Sequence, residues 1–266
     1  MFGFFQRRRR EKILAQVFPE AWREILLNRF PLFRILPEQD RTELEQLIQI
    51  FLTEKSFEGC DGLALTDEIK VTIAAQACLL LLNRKTDIYP ELRSILVYPS
   101  SYQAKSVQHS GSGIVSEIDS HRLGESWGHG TVVLAWDSVA RGAININDGQ
   151  NVALHEFAHQ LDQEDGLADG RPEIKSEDSF PERRARYVTW ARVLSAEYQT
   201  LCEKAEGGRK SVLDHYGATT HAEFFAVASE CFFEKPLQMQ RKHPELYEEF
   251  KKFYHQDPVS WRQREF

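Results

Sequence analysis

The chain has 266 residues, of which 42% are hydrophobic and 27% charged, which is typical of a soluble globular protein with ample apolar side chains for a core. Its formal net charge of −7 argues against a general nucleic-acid binder, because such proteins carry clustered basic surfaces. We therefore predict no direct contact with nucleic acid.

The beginning of the sequence argues against export. Its apolar residues precede the basic run at residues 7–10, whereas a secretory signal has the opposite order and a longer apolar stretch. The longest aliphatic block, residues 74–82, is too short to span a membrane. We predict a cytoplasmic protein without a membrane span. Residues 1–10 are interpreted as a frayed terminus or, alternatively, as a weak attachment point for an anionic surface or partner.

Periodicity and breaking residues give a coarse secondary structure. Helices are predicted over residues 20–27, 38–52, 66–83, 181–206 and 220–235, with a short one after Pro244, and strands over residues 95–98 and 131–136. Two segments are predicted to be loops, residues 106–113 and 162–179. This order predicts an α+β fold, mainly helical, with a helical N-terminal subdomain at 11–85 and a second domain at 86–266 that contains a small mixed sheet.

The most informative segment is His155-Glu156-Phe157-Ala158-His159, an HExxH sequence. Histidines at i and i+4 lie on one face of a helix, so both imidazoles can bind one metal ion, and the glutamate can act as general base for hydrolysis. Four apolar residues at i, i+3, i+4 and i+7 predict that one side of this helix is buried: Leu154, Phe157, Ala158 and Leu161. Helix-start chemistry is expected at residues 147–149.

A catalytic zinc ion usually takes three protein ligands, so a third ligand is needed. The best source is the segment 220–230, in which a helix facing the HExxH helix would bring Glu223 to the metal. Thr220 and Glu223 also fit a capping box, in which Glu223 would only cap a helix start. Spacing leaves both roles open, and Glu230 and His221 are competing ligands. The four cysteines are far apart and are poor candidates for a closed structural zinc site.

Several motifs together resemble the Mlc titration factor A family. They are HEFAHQLD at 155–162, Tyr216-Gly217-Ala218, AEFFAVASE at 222–230, GxVxLxW at 130–136 and FFEKP at 232–236. The resemblance covers most of the chain. It implies a bacterial cytosolic zinc metallopeptidase of the gluzincin type with a zincin-like catalytic domain.

Carried over residue by residue, the resemblance implies one Zn²⁺ per chain held by His155, His159 and Glu223. Glu156 would be the catalytic base, and Tyr216 would donate a hydrogen bond to the developing oxyanion. By itself, Tyr216 would more often be a structural tyrosine. Some gluzincins carry an aspartate four residues after the ligand glutamate, bonded to a zinc histidine. Here that position is Val227. Asp162 or a backbone carbonyl is the expected substitute.

Two functions follow, and they are compatible. The first is a monomeric, aminopeptidase-like enzyme acting on short peptide substrates. The second, implied by the resemblance, is a regulatory protein that binds and sequesters an Mlc-type transcriptional repressor. Candidate docking surfaces are the Phe/Arg-rich N-terminus and the aromatic segment 241–266, although the aromatic side chains of the latter also fit the core side of a last helix.

Overall fold

A computed structural model of the protein describes residues 2–100, 102–109, 115–122, 124–127, 130–174 and 180–262. The helices are α1 (Phe2–Leu14), α2 (Glu20–Arg29), α3 (Pro31–Ile35), α4 (Glu38–Glu54), α5 (Asp67–Leu79), α6 (Trp136–Ile144), α7 (Val152–Asp162), α8 (Phe180–Glu206), α9 (His221–Glu234), α10 (Pro236–Lys242), α11 (Pro244–Tyr254) and α12 (Pro258–Arg262). The strands are β1 (Ser56–Gly59), β2 (Ser94–Tyr98), β3 (Tyr102–His109), β4 (Val115–Arg122), β5 (Gly124–Trp127) and β6 (Thr131–Ala135).

The main sheet has the strand order β1-β2-β6-β5. The first three strands are parallel, with Ile95 opposite Val132, and β5 pairs antiparallel with β6 at the edge. Residues 132–135 of β6 are all buried, as expected for a central strand covered on both faces. Strands β3 and β4 form a separate antiparallel pair. The mainly helical α+β class with a small mixed sheet is confirmed.

Most predicted helices are present, with shifted ends. Thr66 caps α5 by accepting a hydrogen bond from the backbone N–H of Ile69, and the predicted helix 66–83 ends four residues early, at Leu79. The predicted strand 131–136 stops at Ala135 because Trp136 begins α6, a helix that the periodicity did not reveal. The predicted loop 106–113 was wrong over residues 106–109, which belong to β3, and residues 110–113 lie outside the described part.

The N-terminal segment is helical, so the frayed-terminus interpretation was wrong for the described residues of α1. Arg10 makes two hydrogen bonds to the carboxylate of Glu54, at 2.8 and 2.6 Å, and an ion pair with Asp87 at 2.6 Å. A planar guanidinium matches a carboxylate at two points, which fixes the helix against α4. The neighbouring Arg7, Arg8 and Arg9 are exposed.

One continuous core runs through the described part of the chain, from Phe18 to Trp261. The C-terminal aromatic side chains belong to it: Tyr247, Phe250, Phe253, Tyr254 and Trp261 are buried. Segment 241–262 therefore supplies core side chains, and its aromatic residues do not form a docking surface. The predicted domain boundary near residue 85 stays a prediction. Among the described residues, no helix combines the length and apolar character that a membrane span requires.

Candidate metal centre

Helix α7 carries the HExxH sequence and begins at a well-defined cap. Asn151 is the N-cap: its Oδ1 accepts a hydrogen bond from the backbone N–H of Leu154 at 3.0 Å. The cap therefore lies two residues after the predicted start chemistry at 147–149. The predicted apolar stripe is confirmed, because its four side chains are almost fully buried: Leu154, Phe157, Ala158 and Leu161. His155 and His159 lie at the margin of the stripe, and Glu156 is only 5% exposed.

Helix α9 packs against α7 and supplies Glu223. Thr220 caps α9, with its Oγ1 accepting the backbone N–H of Glu223 at 3.1 Å. The carboxylate of Glu223 faces the histidines: its Oε2 lies 2.9 Å from Nε2 of His155 and 3.3 Å from Nε2 of His159. Only the Thr220 half of the predicted capping box is therefore seen: Thr220 caps the N–H of Glu223, while the carboxylate of Glu223 points into the cluster.

The three side chains fit a metal ion. The two histidine Nε2 atoms are 3.2 Å apart, so the three nearest ligand atoms form a triangle with edges of 2.9, 3.2 and 3.3 Å. A tetrahedral zinc ion with bonds of about 2.0–2.1 Å holds its ligand atoms roughly 3.3 Å apart. Two imidazole nitrogens and one carboxylate oxygen are also the donor types that zinc prefers. His155, His159 and Glu223 thus form a group able to hold a metal ion.

The competing ligands lie elsewhere. His221 is exposed and stacks on Tyr198, with ring centroids 4.1 Å apart. Glu230 contacts the other side of the His155 ring, with its Oε1 2.8 Å from Nδ1. It is thus a hydrogen-bond partner of one histidine of the cluster, at the ring nitrogen that faces away from Glu223. Sequence reasoning did not find this role, although Glu230 follows Glu223 by two helical turns and so lies on the same face of α9.

The expectation that Asp162 or a backbone carbonyl bonds the outer nitrogen was wrong for His155, whose Nδ1 faces Glu230, and Val227 and Asp162 make other contacts. Val227 packs against Gly217, where an added Cβ would lie only 3.2 Å from the Val227 Cβ. Asp162 accepts the backbone N–H of Gly170 at 2.8 Å. Gly170 has φ +75°, and an added Cβ there would lie 2.4 Å from the carbonyl oxygen of His221. This close approach ties the loop after α7 to the first residue of α9.

The electrostatics of the cluster favour a cation. Burial lowers the pKa of His155, but its hydrogen bonds with Glu223 and Glu230 outweigh burial and raise that pKa to about 10. For Glu223, burial raises the pKa, while the hydrogen bonds with His155 and His159 lower it well below its ordinary value. Burial also raises the pKa of Asp162 to about 6. The carboxylate of Glu223 thus favours positive charge at His155.

Tyr216 reaches the same site from a 3₁₀ turn, His215–Ala218. Asp214 caps this turn by accepting the backbone N–H of Tyr216 at 2.9 Å. The absence of a side chain at Gly217 allows the turn to pack on α8 and α9. The Tyr216 ring lies with its centroid 6.0 Å from that of His155, and its side chain is 55% exposed. A phenol at this distance from the cluster and open to solvent can meet a bound substrate.

Comparison with known proteins agrees with this geometry. Residues 4–255 match the family described as glucose-regulated metallo-peptidase M90. The chain belongs to this family.

The chain is 40% identical over 252 residues to an uncharacterized protein of Synechocystis sp., covering 94% of this chain and 89% of that protein. It is 30% identical over 246 residues to Mlc titration factor A of Serratia proteamaculans, covering 91% and 89%. The Escherichia coli O1:K1 / APEC protein of the same name is 31% identical over 246 residues, covering 90% and 86%. The family resemblance predicted from the motifs is confirmed, and the family is one of metallopeptidases.

Proposed function

We propose that the protein is a zinc-dependent peptidase of the gluzincin type, with one zinc ion held by His155, His159 and Glu223. The observation that carries the proposal is the convergence of these side chains from α7 and α9 at mutual distances of 2.9–3.3 Å. Membership in a metallopeptidase family supports it. The buried Glu156 on the same helix supplies an acid–base group next to the cluster.

The division of roles follows from the chemistry of peptide hydrolysis. A bound zinc ion would polarise the scissile carbonyl and lower the pKa of the attacking water. Glu156 accepts the proton of that water and delivers it to the leaving amine. Tyr216 donates a hydrogen bond from its phenol to the oxygen that gains negative charge. His155 and Glu223, which belong to two different helices, keep the reacting groups in fixed positions.

The simplest test of the proposal is metal content with chelator reversal. We expect purified protein to contain one zinc ion per chain and to hydrolyse peptides. Dialysis against a chelator should abolish hydrolysis, and added Zn²⁺ should restore it. The three side chains alone cannot supply the positive charge of the removed zinc ion. Metal analysis and a quenched-fluorescence peptide assay give both readings. A stoichiometrically metal-free preparation with unchanged hydrolysis contradicts the proposal.

We propose short peptides with free N-termini as substrates. The exposure of Tyr216 and the partial exposure of Glu223 support a site that chain ends can enter. Aminoacyl anilides and their N-acetylated counterparts form a matched pair that differs only in the terminal ammonium. Preference for the free amine supports an aminopeptidase-like activity, and preference for the acetylated or internal peptide assigns an endopeptidase.

Replacing Tyr216 tests the oxyanion role. We expect Tyr216→Phe to retain fold and metal and to lower kcat roughly 10- to 1000-fold, the range for losing one oxyanion donor. Tyr198→Phe is a suitable control because its hydroxyl donates to the backbone carbonyl of Ala218 and not to a side chain of the proposed metal site. Equal kcat values for wild type and Tyr216→Phe would return Tyr216 to a structural role.

The relatives named Mlc titration factor A favour a second, compatible function, binding of an Mlc-type repressor. Of the two surfaces suggested by the sequence, α1 remains, since it exposes Arg8 and Arg9, and Phe5 is 65% exposed. We expect repressor binding to survive Glu156→Gln, because interface area and not catalysis determines it. The double variant Arg8→Glu/Arg9→Glu should weaken binding in a pull-down. Loss of binding in a folded Glu156→Gln protein would mean that both functions share one site.

A further inference from the structure

Glu230 joins the start of helix α7 to one of the proposed metal ligands. It is only 6% exposed, and both of its carboxylate oxygens have partners. Its Oε2 accepts the backbone N–H of Asn151, the N-cap of α7, and its Oε1 lies 2.8 Å from Nδ1 of His155. The backbone N–H of Asn151 can only donate, so Oε2 of Glu230 must be an acceptor.

The geometry determines which nitrogen of His155 is available for a metal. In its carboxylate form, which the hydrogen bonds with His155 and Asn151 favour against burial, Glu230 only accepts hydrogen bonds, so Nδ1 of His155 carries a hydrogen and donates it to Oε1. In the neutral ring, the lone pair then lies on Nε2, the atom that faces Glu223 and His159. A carboxylate behind a ligand histidine fixes the tautomer and orientation of the ring in this way.

A neighbouring glutamate provides an internal comparison. Glu234 lies one helical turn after Glu230 and is also buried. Its Oε1 accepts a hydrogen bond from Nδ2 of Asn151 at 3.0 Å, while its Oε2 is buried without a hydrogen-bond partner among the described residues. Burial raises the pKa of Glu234 to about 8, consistent with a neutral acid there. Glu234 therefore bonds the side chain of the N-cap residue, whereas Glu230 bonds its backbone N–H and the His155 ring.

We propose that Glu230 is a positioning residue that sets the Nδ1–H tautomer of His155, so that Nε2 faces the metal, and that it couples this ring to the N-cap of α7. The role rests on the proposed zinc site. Glu230 touches neither substrate nor metal, and it acts through His155.

The substitution Glu230→Gln tests the role sharply. A glutamine has one acceptor oxygen, and the backbone N–H of Asn151 requires it. The NH₂ group then faces Nδ1 of His155 and donates to it, which moves the ring hydrogen to Nε2 and blocks that atom as a ligand. We expect zinc affinity to fall roughly 10- to 100-fold, as is common for loss of such a partner. The matched change Glu234→Gln keeps its acceptor oxygen and should leave zinc affinity within about twofold of wild type.

Two measurements distinguish the possible results. Chelator competition gives the zinc affinity, and NMR of zinc-loaded protein labelled with ¹⁵N-histidine detects the Nδ1–H of His155. We expect this hydrogen-bonded proton in wild type and Glu234→Gln, and not in Glu230→Gln. Unchanged affinity in folded Glu230→Gln, or an Nδ1–H signal that persists in it, overturns the inference.

A substitute variant and the metal-free wild type complete the test. If Glu230→Gln fails to fold, Glu230→Asp takes its place, because aspartate keeps two acceptor oxygens. Retention of the Nδ1–H signal, with a loss of zinc affinity below about tenfold, supports the role. Loss of the signal contradicts it. If wild type shows the Nδ1–H signal but binds no zinc, the proposed function fails while the hydrogen bond to Glu230 stands.

Discussion

Glu156→Gln is expected to bind zinc like the wild type and to lose almost all hydrolysis, with kcat lower by about 100- to 10,000-fold, the range for a general acid–base group. The amide has the size of the carboxylate but cannot accept the proton of the attacking water. The metal should remain because Glu156 is not among the three side chains that converge. Steady-state kinetics on a peptide and metal analysis of the same preparation provide the two readings.

The control for this prediction is the same chemical change at another buried glutamate. Glu249 on α11 is 7% exposed, pairs with Lys252 and is not among the side chains that converge at the cluster. Glu249→Gln should retain kcat even if it lowers thermal stability. Turnover near the wild-type value in rigorously purified Glu156→Gln would reject the general-base role, whereas equal losses in both variants would indicate a general effect on folding.

Removal of a ligand is the second large effect. We expect His155→Ala and Glu223→Ala each to lose most of the zinc, because two remaining ligands hold the ion far less tightly than three. The loss should appear as sub-stoichiometric metal after gel filtration and as a large decrease in affinity in chelator competition. Peptide hydrolysis should decrease in parallel.

His221→Ala is the matched control for ligand removal. His221 begins α9, two residues before Glu223, yet its ring stacks on Tyr198 and lies outside the ligand cluster. This variant should retain one zinc ion per chain. Full zinc occupancy in His155→Ala would refute the assignment of His155. Retention of zinc in Glu223→Ala with its loss in His221→Ala would assign the third ligand to His221 and leave Glu223 as part of a cap.

The placement of helix α7 could be predicted from local sequence because its determinants are periodic. An apolar residue at i, i+3, i+4 and i+7 fixes the buried side of α7, and this leaves His155 and His159 together on the margin. The same argument placed α5, α8 and α9 within a few residues of their observed ends. Helix α6 and strand β1 were not predicted. Both are short, and short segments give too few repeats to reveal a period.

Some assignments depended on contacts between segments far apart in the chain. The N-terminal helix is anchored by Arg10 through Glu54 and Asp87, and its local sequence does not reveal these partners. The aromatic segment near the C-terminus has a pattern that suits either an interface or a core. Burial against α9 made it a core. Composition alone does not distinguish an interface from a core, because an aromatic side chain loses its contact with water in either place.

The sequence by itself determined the family, the α+β class and the residues on which metal chemistry would depend, because these are encoded in short motifs and helical periods. Only the tertiary structure decided how Glu223, Glu230 and His221 are arranged, since all three lie on one helix and each fits a ligand role by spacing. The packing of α9 on α7 turns Glu223 toward Nε2 of His155 and Glu230 toward Nδ1 of the same ring. Which carboxylate reaches which nitrogen depends on the relative position of two helices, and that position is a property of the folded core and not of either segment alone.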